Sequence, residues 1–261
     1  MPFTHAIVRP PAQSFAAGLS SGLEGVPDIG RALRQHALYV QALRDCGLRV
    51  TCLPPDEDYP DSTFVEDTAI VTERGAVLMR PGAPSRAGEV RGMADCLRKF
   101  HAVLPAIEPP GTVDGGDVCE ADGYFLIGVS ARTNAQGAHQ LAQHLARWGY
   151  ASCTIDIRSN PSLLHLKSGI AYLGSGLWAA HRSVQAAVEA QRGIDVRDLI
   201  VVSAAEAYAA NCVRVNDVVL VAAGYPNTSE ALERAGQRVV CLEMSEFRKM
   251  DGGLSCLSLR F

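Results

Sequence analysis

The segment DVCEADGYFLIGVS (117–130) contains two short apolar runs joined by Asp122-Gly123. An Asp-Gly pair between apolar runs is a strong signal for a β-hairpin with a two-residue turn. The same arrangement of apolar run, polar turn and apolar run occurs three more times, at AIVTERGAVLMRP (69–81), GIAYLGSGLWAAH (169–181) and NCVRVNDVVLVAAGYP (211–226). The sequence therefore predicts four hairpins that repeat along the chain.

Each hairpin is followed by a helical pattern and then by one more apolar run. The predicted helices span 86–100, 134–149, 183–193 and 228–235, and the predicted third strands span 102–107, 152–157, 199–204 and 238–244. We expect Thr228 to cap the last of these helices and Gly236 to end it. A fifth copy is split across the termini, with a hairpin from 254–261 and 4–10, a helix at 28–46 and a strand at 48–54.

The repeated module is strand, strand, helix, strand. Five such modules account for the 261 residues. Modules that cannot bury their own faces must pack around a common centre, and a split closing module favours a closed ring. We therefore predict an α/β fold, a five-bladed α/β propeller with pseudo-fivefold symmetry, in which residues 1–261 form a single domain. The alternative of two doubly wound domains requires helices that cross between single strands, and the run of hairpins argues against it.

The composition limits the classes of function. The chain has 48% hydrophobic and 20% charged residues and a formal net charge of -4, which excludes intrinsic disorder and makes nucleic acid and anionic membranes unexpected partners. The first residues lack the features of a signal peptide, so we expect a cytoplasmic protein whose eight cysteines stay reduced. No CxxC or HExxH spacing is present, so no metal site is predicted.

Polar residues precede the inner hairpin at equivalent positions of several modules, and in a closed ring they would converge. They are Glu66, Asp67, Asp114, His165, Asp251 and Cys256. A thiolate can attack the electron-poor carbon of a guanidinium group, carboxylates can hold that flat cation, and a histidine can protonate the departing amine and then activate water. This combination favours an enzyme that acts on guanidines.

Each of these residues also has an ordinary structural interpretation. A cysteine near a strand end is usually a small core residue, and a histidine between leucines is more often buried and satisfied than catalytic. Two other classes of function stay open at this point. Gly18-Leu19-Ser20-Ser21-Gly22 matches the GxSxG of serine hydrolases, although it lacks the flanking strand and helix. The second class is a binding protein on the same ring scaffold.

Seven segments resemble one known family in collinear order over nearly the whole chain. They are LPPDEDYPDSTFVEDTAIV, RPGAPSR, GTVDGGDV, SARTNAQGA, LHLKSG, AANC and KMDGGLSCLS, and the family is that of the dimethylarginine dimethylaminohydrolases. The resemblance implies a five-bladed α/β propeller that hydrolyses Nω-methylated L-arginine to L-citrulline and methylamine or dimethylamine. It also implies a covalent cysteine thiouronium intermediate and no cofactor, and it is compatible with a homodimer.

The resemblance assigns roles to residues. It implies that Cys256 is the nucleophile, His165 the general acid and base, and Asp114 the carboxylate that orients His165. The implied substrate-binding residues are Leu19, Asp61, Phe64, Glu66, Asp67, Arg86, Arg132 and Asp251, with Glu66 and Asp67 on the guanidinium and Arg86 and Arg132 on the α-carboxylate. The loop around Leu19 is implied to be a lid.

One position departs from the related deiminases. Arginine and agmatine deiminases carry an aspartate two residues after the histidine, and this chain has Lys167 there. The missing acid favours a methylated substrate, and an arginine deiminase-like guanidine hydrolase is the alternative. The sequence leaves two ways to generate the thiolate: a preformed thiolate and imidazolium pair, or ionisation assisted by the substrate's own positive charge.

Overall fold

The computed structural model describes residues 2–261. The chain divides into two compact units, one formed by Met1–Glu66 with Cys212–Phe261 and the other by Asp67–Asn211. Within residues 2–261, no helix is both long enough and apolar enough to cross a membrane.

The first unit contains two three-stranded sheets. Their strands are β1 (His5–Val8), β2 (Arg49–Cys52), β11 (Val213–Val215), β12 (Val218–Ala222), β13 (Arg238–Leu242) and β14 (Leu259–Arg260). One sheet has the order β14-β1-β2, and the other has the order β11-β12-β13. The helices are α1 (Ile29–Asp45), α5 (Pro226–Arg234) and α6 (Ser245–Arg248).

The second unit contains three sheets. Their strands are β3 (Ala69–Thr72), β4 (Gly75–Leu78), β5 (Val118–Ala121), β6 (Tyr124–Val129), β7 (Ala151–Asp156), β8 (Ile170–Gly174), β9 (Leu177–His181) and β10 (Asp198–Val202). The sheets have the orders β3-β4, β5-β6-β7 and β8-β9-β10. The helices are α2 (Val90–Leu97), α3 (Ala135–Arg147) and α4 (Gln185–Glu189).

Each sheet begins with an antiparallel pair, and four of the five add a parallel third strand. In the sheet of β5, β6 and β7, Val118 pairs with Ile127 across the hairpin and Ile127 pairs with Thr154 on the parallel side. Asp122 and Gly123 adopt φ values of 48° and 81° at the hairpin turn, as an Asp-Gly turn requires. The α/β class and the predicted hairpins are therefore confirmed.

The predicted third strand at 102–107 is wrong. Only a single parallel bridge between Leu78 and Ala106 forms, and Val103 is 77% exposed. Pro105 has no N–H group to donate to a ladder, so it stops the pairing. The predicted cap at Thr228 is also wrong: α5 begins at Pro226, a residue favoured in the first turn of a helix.

The sheets and helices of the second unit bury apolar clusters. Phe125 and Ile127 of β6, Leu141 of α3 and Val77 of β4 pack in one cluster. Burial of such side chains contributes roughly 25 cal/mol per Å² of apolar surface.

Candidate active site

His165 precedes the short 3-10 turn Leu166–Ser168 and is 6% exposed. Its Nε2 lies 3.0 Å from Oδ2 of Asp114, a fully buried residue 51 positions earlier. The other oxygen of Asp114 accepts a hydrogen bond of 2.7 Å from the amide of Gly82. The structure thus brings together the histidine and the carboxylate that the resemblance pairs.

Asp67 is the second buried carboxylate beside this histidine. Its Oδ1 accepts from the amide of Gly116 at 2.8 Å, and its Oδ2 accepts from Nη1 of Arg86 at 2.5 Å. Gly116 must be a glycine, because a Cβ there would lie 2.6 Å from Nδ1 of His165 and 3.1 Å from Oδ1 of Asp67. Backbone, carboxylate and imidazole therefore meet at close range.

Burial and the neighbouring charges shift the pKa values of His165 and Asp67. Burial lowers the pKa of His165, but the carboxylates of Asp67, Asp114 and Asp117 outweigh burial and raise this pKa to about 9. Burial raises the pKa of Asp67, but His165 and Arg86 lower it to about 2. The imidazole is therefore a cation near neutral pH, and it can donate a proton.

Arg86 is held by carboxylates of the protein. It is 4% exposed, its Nε and Nη2 donate to the two oxygens of Glu89 at 3.0 and 2.8 Å, and its Nη1 donates to Asp67. Sequence reasoning missed Glu89, although the three-residue spacing within Arg86-Ala87-Gly88-Glu89 is a signal for such a pair. A role for Arg86 on the substrate carboxylate stays a prediction, and the geometry gives it a structural role as well.

Arg132 lies in the turn between Ser130 and Thr133. Its amide donates to Oγ of Ser130 at 3.0 Å, and the residue is half-buried. A Cβ at Gly82 would lie 2.1 Å from the carbonyl oxygen of Arg132. The glycine that donates to Asp114 therefore also packs directly against the backbone of Arg132.

Cys256 lies in the other unit, in the 3-10 turn Ser255–Leu257, and is half-buried. Its sulfur accepts from the amide of Gly253 at 3.4 Å. The neighbouring Ser255 donates through its hydroxyl to Oε2 of Glu66 at 2.9 Å, and Glu66 is 2% exposed. Within this unit, the turn that carries the cysteine thus also fixes one of the acids predicted to hold the guanidinium.

The loop after β1 is held by hydrogen bonds to acidic residues of the same unit. The amide of Leu19 donates to both oxygens of Asp61 at 3.0 and 3.1 Å. Ser21 donates to Asp251 through its amide at 2.5 Å and its hydroxyl at 2.8 Å. Leu19, Asp61 and Asp251, all predicted to face the substrate, therefore belong to one hydrogen-bonded arrangement.

Phe64 packs in an aromatic cluster of the first unit. Its ring centroid lies 6.0 Å from that of Phe15 and 6.4 Å from that of Phe247. A Cβ at Gly252 would lie 2.1 Å from Cε1 of Phe64. This close approach explains the glycine beside Asp251 and places the backbone of that segment against an aromatic ring.

Among residues 2–261, one group of side chains has the chemistry and spacing to ligate a metal ion. The ligand atoms of Asp67, Asp114 and His165 lie within 4.8 Å of one another. Their hydrogen bonds to Gly116, Arg86 and Gly82 and the direct contact between Asp114 and His165 already account for the arrangement.

Comparisons with known proteins identify the family of the chain. Residues 57–207 match the family model of arginine deiminase, which places the chain in that class of α/β protein. The chain is 44% identical to N(G),N(G)-dimethylarginine dimethylaminohydrolase of Pseudomonas aeruginosa, over 99% of this chain and 100% of the relative. It is 33% identical to the protein of the same name from Streptomyces coelicolor, over 100% and 98% of the two chains.

A solved structure agrees with these relatives. The Pseudomonas aeruginosa enzyme, as a cysteine-to-serine variant complexed with citrulline, matches with a TM-score of 0.94 and 42% identity over 100% of both chains. The chain belongs to the dimethylarginine dimethylaminohydrolase family, and the resemblance drawn from its sequence is confirmed.

Proposed function

We propose that this protein hydrolyses Nω-methylated L-arginine, in its monomethyl and asymmetric dimethyl forms, to L-citrulline and methylamine or dimethylamine. The observation that carries the proposal is the full-length likeness to the citrulline-bound Pseudomonas enzyme. The buried pair of Asp114 and His165 supports it, because an oriented imidazole that is protonated near neutral pH is the acid that an amine leaving group needs.

The proposed reaction has two halves. In the first, the sulfur of Cys256 forms a bond to the guanidinium carbon, and the methylated nitrogen leaves with a proton from His165. In the second, the now neutral His165 takes a proton from water, whose oxygen attacks the same carbon. The C–S bond then breaks, which releases citrulline and restores the thiolate. No cofactor takes part in either half.

The remaining residues would bind the substrate. In the proposal, Glu66 and Asp67 hold the guanidinium, Asp61 with the backbone near Asp251 holds the α-amino group, and Arg132 holds the α-carboxylate. Leu19 and Phe64 complete the binding surface. Carboxylates suit the guanidinium because paired, charge-assisted hydrogen bonds match its flat geometry.

The arginine deiminase family model gives a specific reason to keep a second candidate, an arginine deiminase-like guanidine hydrolase. The two candidate enzymes differ in the protein group that contacts the second edge of the substrate's guanidinium. The segment after His165 carries Lys167, whose carbonyl accepts from the side chain of Asn211 at 2.8 Å. With a lysine where deiminases carry an acid, an unsubstituted edge gains no carboxylate partner, so methylated arginine is the expected substrate.

Four substrates separate these candidates. Monomethylarginine, asymmetric dimethylarginine, arginine and agmatine are incubated separately, and citrulline or N-carbamoylputrescine is assayed. We expect turnover of the two methylated arginines and far less of the others. Equal kcat/KM for arginine and monomethylarginine would favour the deiminase.

The nucleophile is tested by Cys256→Ser, which removes the thiolate with little change in volume. We expect loss of turnover by more than about a hundredfold in kcat, with citrulline binding and the thermal unfolding midpoint retained. Cys241→Ser is the matched control, because Cys241 is an exposed thiol of the same unit. Fluorophosphonate labelling of Ser20 with loss of activity would favour a serine hydrolase instead.

The organisation of the chain forms part of the proposal. The five small sheets support a five-bladed propeller with pseudo-fivefold symmetry and a single catalytic domain over residues 1–261. We expect a cytoplasmic protein that binds a small molecule and neither nucleic acid nor membrane. A homodimer would give a mass of twice 27.8 kDa by light scattering.

A further inference from the structure

Asp117 is a buried carboxylate that the reaction described above does not use. It ends the 3-10 turn Gly115–Asp117, three residues after Asp114, and is 0% exposed. Both of its oxygens accept short hydrogen bonds: Oδ1 from the amide of Leu166 at 2.9 Å, and Oδ2 from the hydroxyl of Ser130 at 2.6 Å. Burial of a charged group is costly unless the group is well paired, and these two hydrogen bonds supply that pairing.

The first contact holds the backbone that carries His165. Leu166 follows His165 directly, so its amide lies at the start of the turn that positions the histidine. Asp114, from the same turn as Asp117, holds the imidazole at 3.0 Å. One short turn therefore fixes His165 at two points, the side chain through Asp114 and the backbone through Asp117.

The second contact holds the turn that carries Arg132. The hydroxyl oxygen of Ser130 accepts from the amides of Arg132 at 3.0 Å and Thr133 at 3.1 Å, so its single proton is available for Asp117. The amide of Ser130 closes the turn on the carbonyl of Thr133 at 3.0 Å. The hydroxyl of Thr133 in turn accepts from the amide of Asp114 at 3.1 Å.

The surroundings of Asp117 leave little room for movement. A Cβ at Gly128 would lie 2.9 Å from Oδ1 of Asp117, so the strand passes directly against the carboxylate. Burial raises the pKa of Asp117 above its usual value, although the charge of His165 and the hydrogen bonds from Ser130, Thr133 and Leu166 partly oppose this rise. The donors arranged around both oxygens match the ionised form.

We propose that Asp117 is a positioning residue that holds the general acid His165 and the carboxylate-binding Arg132 in one fixed arrangement. The inference rests on the proposed function, since it assigns Asp117 a task in that reaction. Asp117 acts through the backbone of both residues. One oxygen of Asp117 positions His165, the proton donor, and the other positions Arg132, the substrate-binding arginine.

The two contacts can be removed separately. Ser130→Ala removes the hydroxyl that donates to Asp117 and accepts from the amides of Arg132 and Thr133, and it leaves the contact of Asp117 to Leu166 in place. Asp117→Ala removes both contacts of Asp117. Asp117→Asn keeps one acceptor oxygen, which the fixed amide of Leu166 requires, so the carboxamide nitrogen would face Ser130 and that contact would be lost. Thr72→Val is the control, because Thr72 is a buried hydroxyl that makes an equivalent turn contact to the carbonyl of Gly75 in the same unit.

The expected kinetics differ between the variants. Ser130→Ala and Asp117→Asn should raise the KM for monomethylarginine about tenfold and change kcat by less than about threefold. Asp117→Ala should raise KM similarly and also lower kcat by at least about tenfold. Thr72→Val should leave both constants within about twofold of wild type.

Hydrogen exchange supplies a readout that needs no turnover. The amide of Leu166 should exchange at least about tenfold faster in Asp117→Ala than in wild type, and at the wild-type rate in Ser130→Ala. An unchanged KM in Asp117→Asn would overturn the inference, as would an unchanged exchange rate of the Leu166 amide in Asp117→Ala. If Asp117→Ala does not fold, Ser130→Ala with unchanged KM overturns it. Failure of wild type to turn over methylated arginine would instead refute the proposed function.

Discussion

The carboxylate of Asp114 holds the imidazole of His165 at Nε2, with 3.0 Å between Oδ2 and Nε2. A carboxylate at this position keeps the Nε2 proton on the ring in both protonation states, so Nδ1 is the nitrogen that gains and loses a proton. The second oxygen of Asp114 is fixed by the amide of Gly82. The pair is therefore anchored at both ends, and two consequences follow from its geometry and charge, one for a variant and one for pH.

Replacing Asp114 by asparagine should impair the histidine. The carboxamide oxygen would stay on the amide of Gly82, so the carboxamide nitrogen would face Nε2 of His165 and favour the wrong tautomer. We expect kcat for monomethylarginine to fall by about a hundredfold or more, within the range of general acid-base effects. Asp114→Glu is the matched control, since it retains the charge, and it should recover much of the loss. Equal kcat for Asp114→Asn and wild type would contradict the role.

The charge on His165 should couple unfolding to pH. Its pKa rises from 6.5 to about 9 in the folded protein. The stabilisation is therefore complete below pH 6.5 and is lost as the pH rises through about 9. We expect the free energy of unfolding of wild type, relative to His165→Gln, to fall by about 1 to 3 kcal/mol across that window. Urea unfolding at several pH values measures it, and a pH-independent difference would contradict the raised pKa.

Local chemistry explains which features the sequence predicts. Asp122-Gly123 determines its hairpin within a few residues, whereas the strand predicted at 102–107 fails because Pro105 cannot join a ladder. The pair of Asp114 and His165 was predictable because both precede hairpins at equivalent module positions. The two contacts of Asp117 reach residues 13 and 49 positions away, and no local pattern indicates such contacts.

Arg86 and Arg132, given the same role by the sequence, should behave differently. Arg86 is buried between Asp67 and Glu89, and loss of one partner of a buried ion pair typically costs about 3 to 5 kcal/mol. Arg86→Gln should therefore lower the free energy of unfolding by an amount in that range. Arg132→Gln should leave it within about 0.5 kcal/mol and raise the KM for methylated arginine. Urea unfolding and steady-state kinetics measure the two effects, and equal destabilisation would contradict the distinction.

The loop at 14–27 should close more firmly over bound ligand. Its tip exposes Leu23 and Val26 at 86% and 79%, while Leu19 and Ser21, in its middle, are held by Asp61 and Asp251. We expect amide exchange at 18–26 to slow when citrulline binds. Asp251→Asn should speed exchange there in the ligand-free protein, because asparagine tolerates the left-handed φ of 56° but loses the charge. Helix α1 is the internal control, and unchanged exchange in both experiments would exclude a lid.

The thiol of Cys256 should ionise readily only when substrate is bound. The sulfur accepts from the backbone amide of Gly253 at 3.4 Å, while the preceding residue, Ser255, holds the buried acid Glu66. Nearby carboxylates oppose a thiolate, and a bound guanidinium supplies the positive charge that favours it.

Alkylation by iodoacetamide tests this mechanism. The ligand-free enzyme should be inactivated increasingly only above about pH 8, while turnover is already high at lower pH. Mass spectrometry of the peptide that contains Cys256 separates its alkylation from that of the other seven cysteines, and Cys256→Ser supplies the background. If alkylation of Cys256 already reaches its plateau near pH 6, the thiolate is preformed, paired with an imidazolium, and the substrate does not generate it.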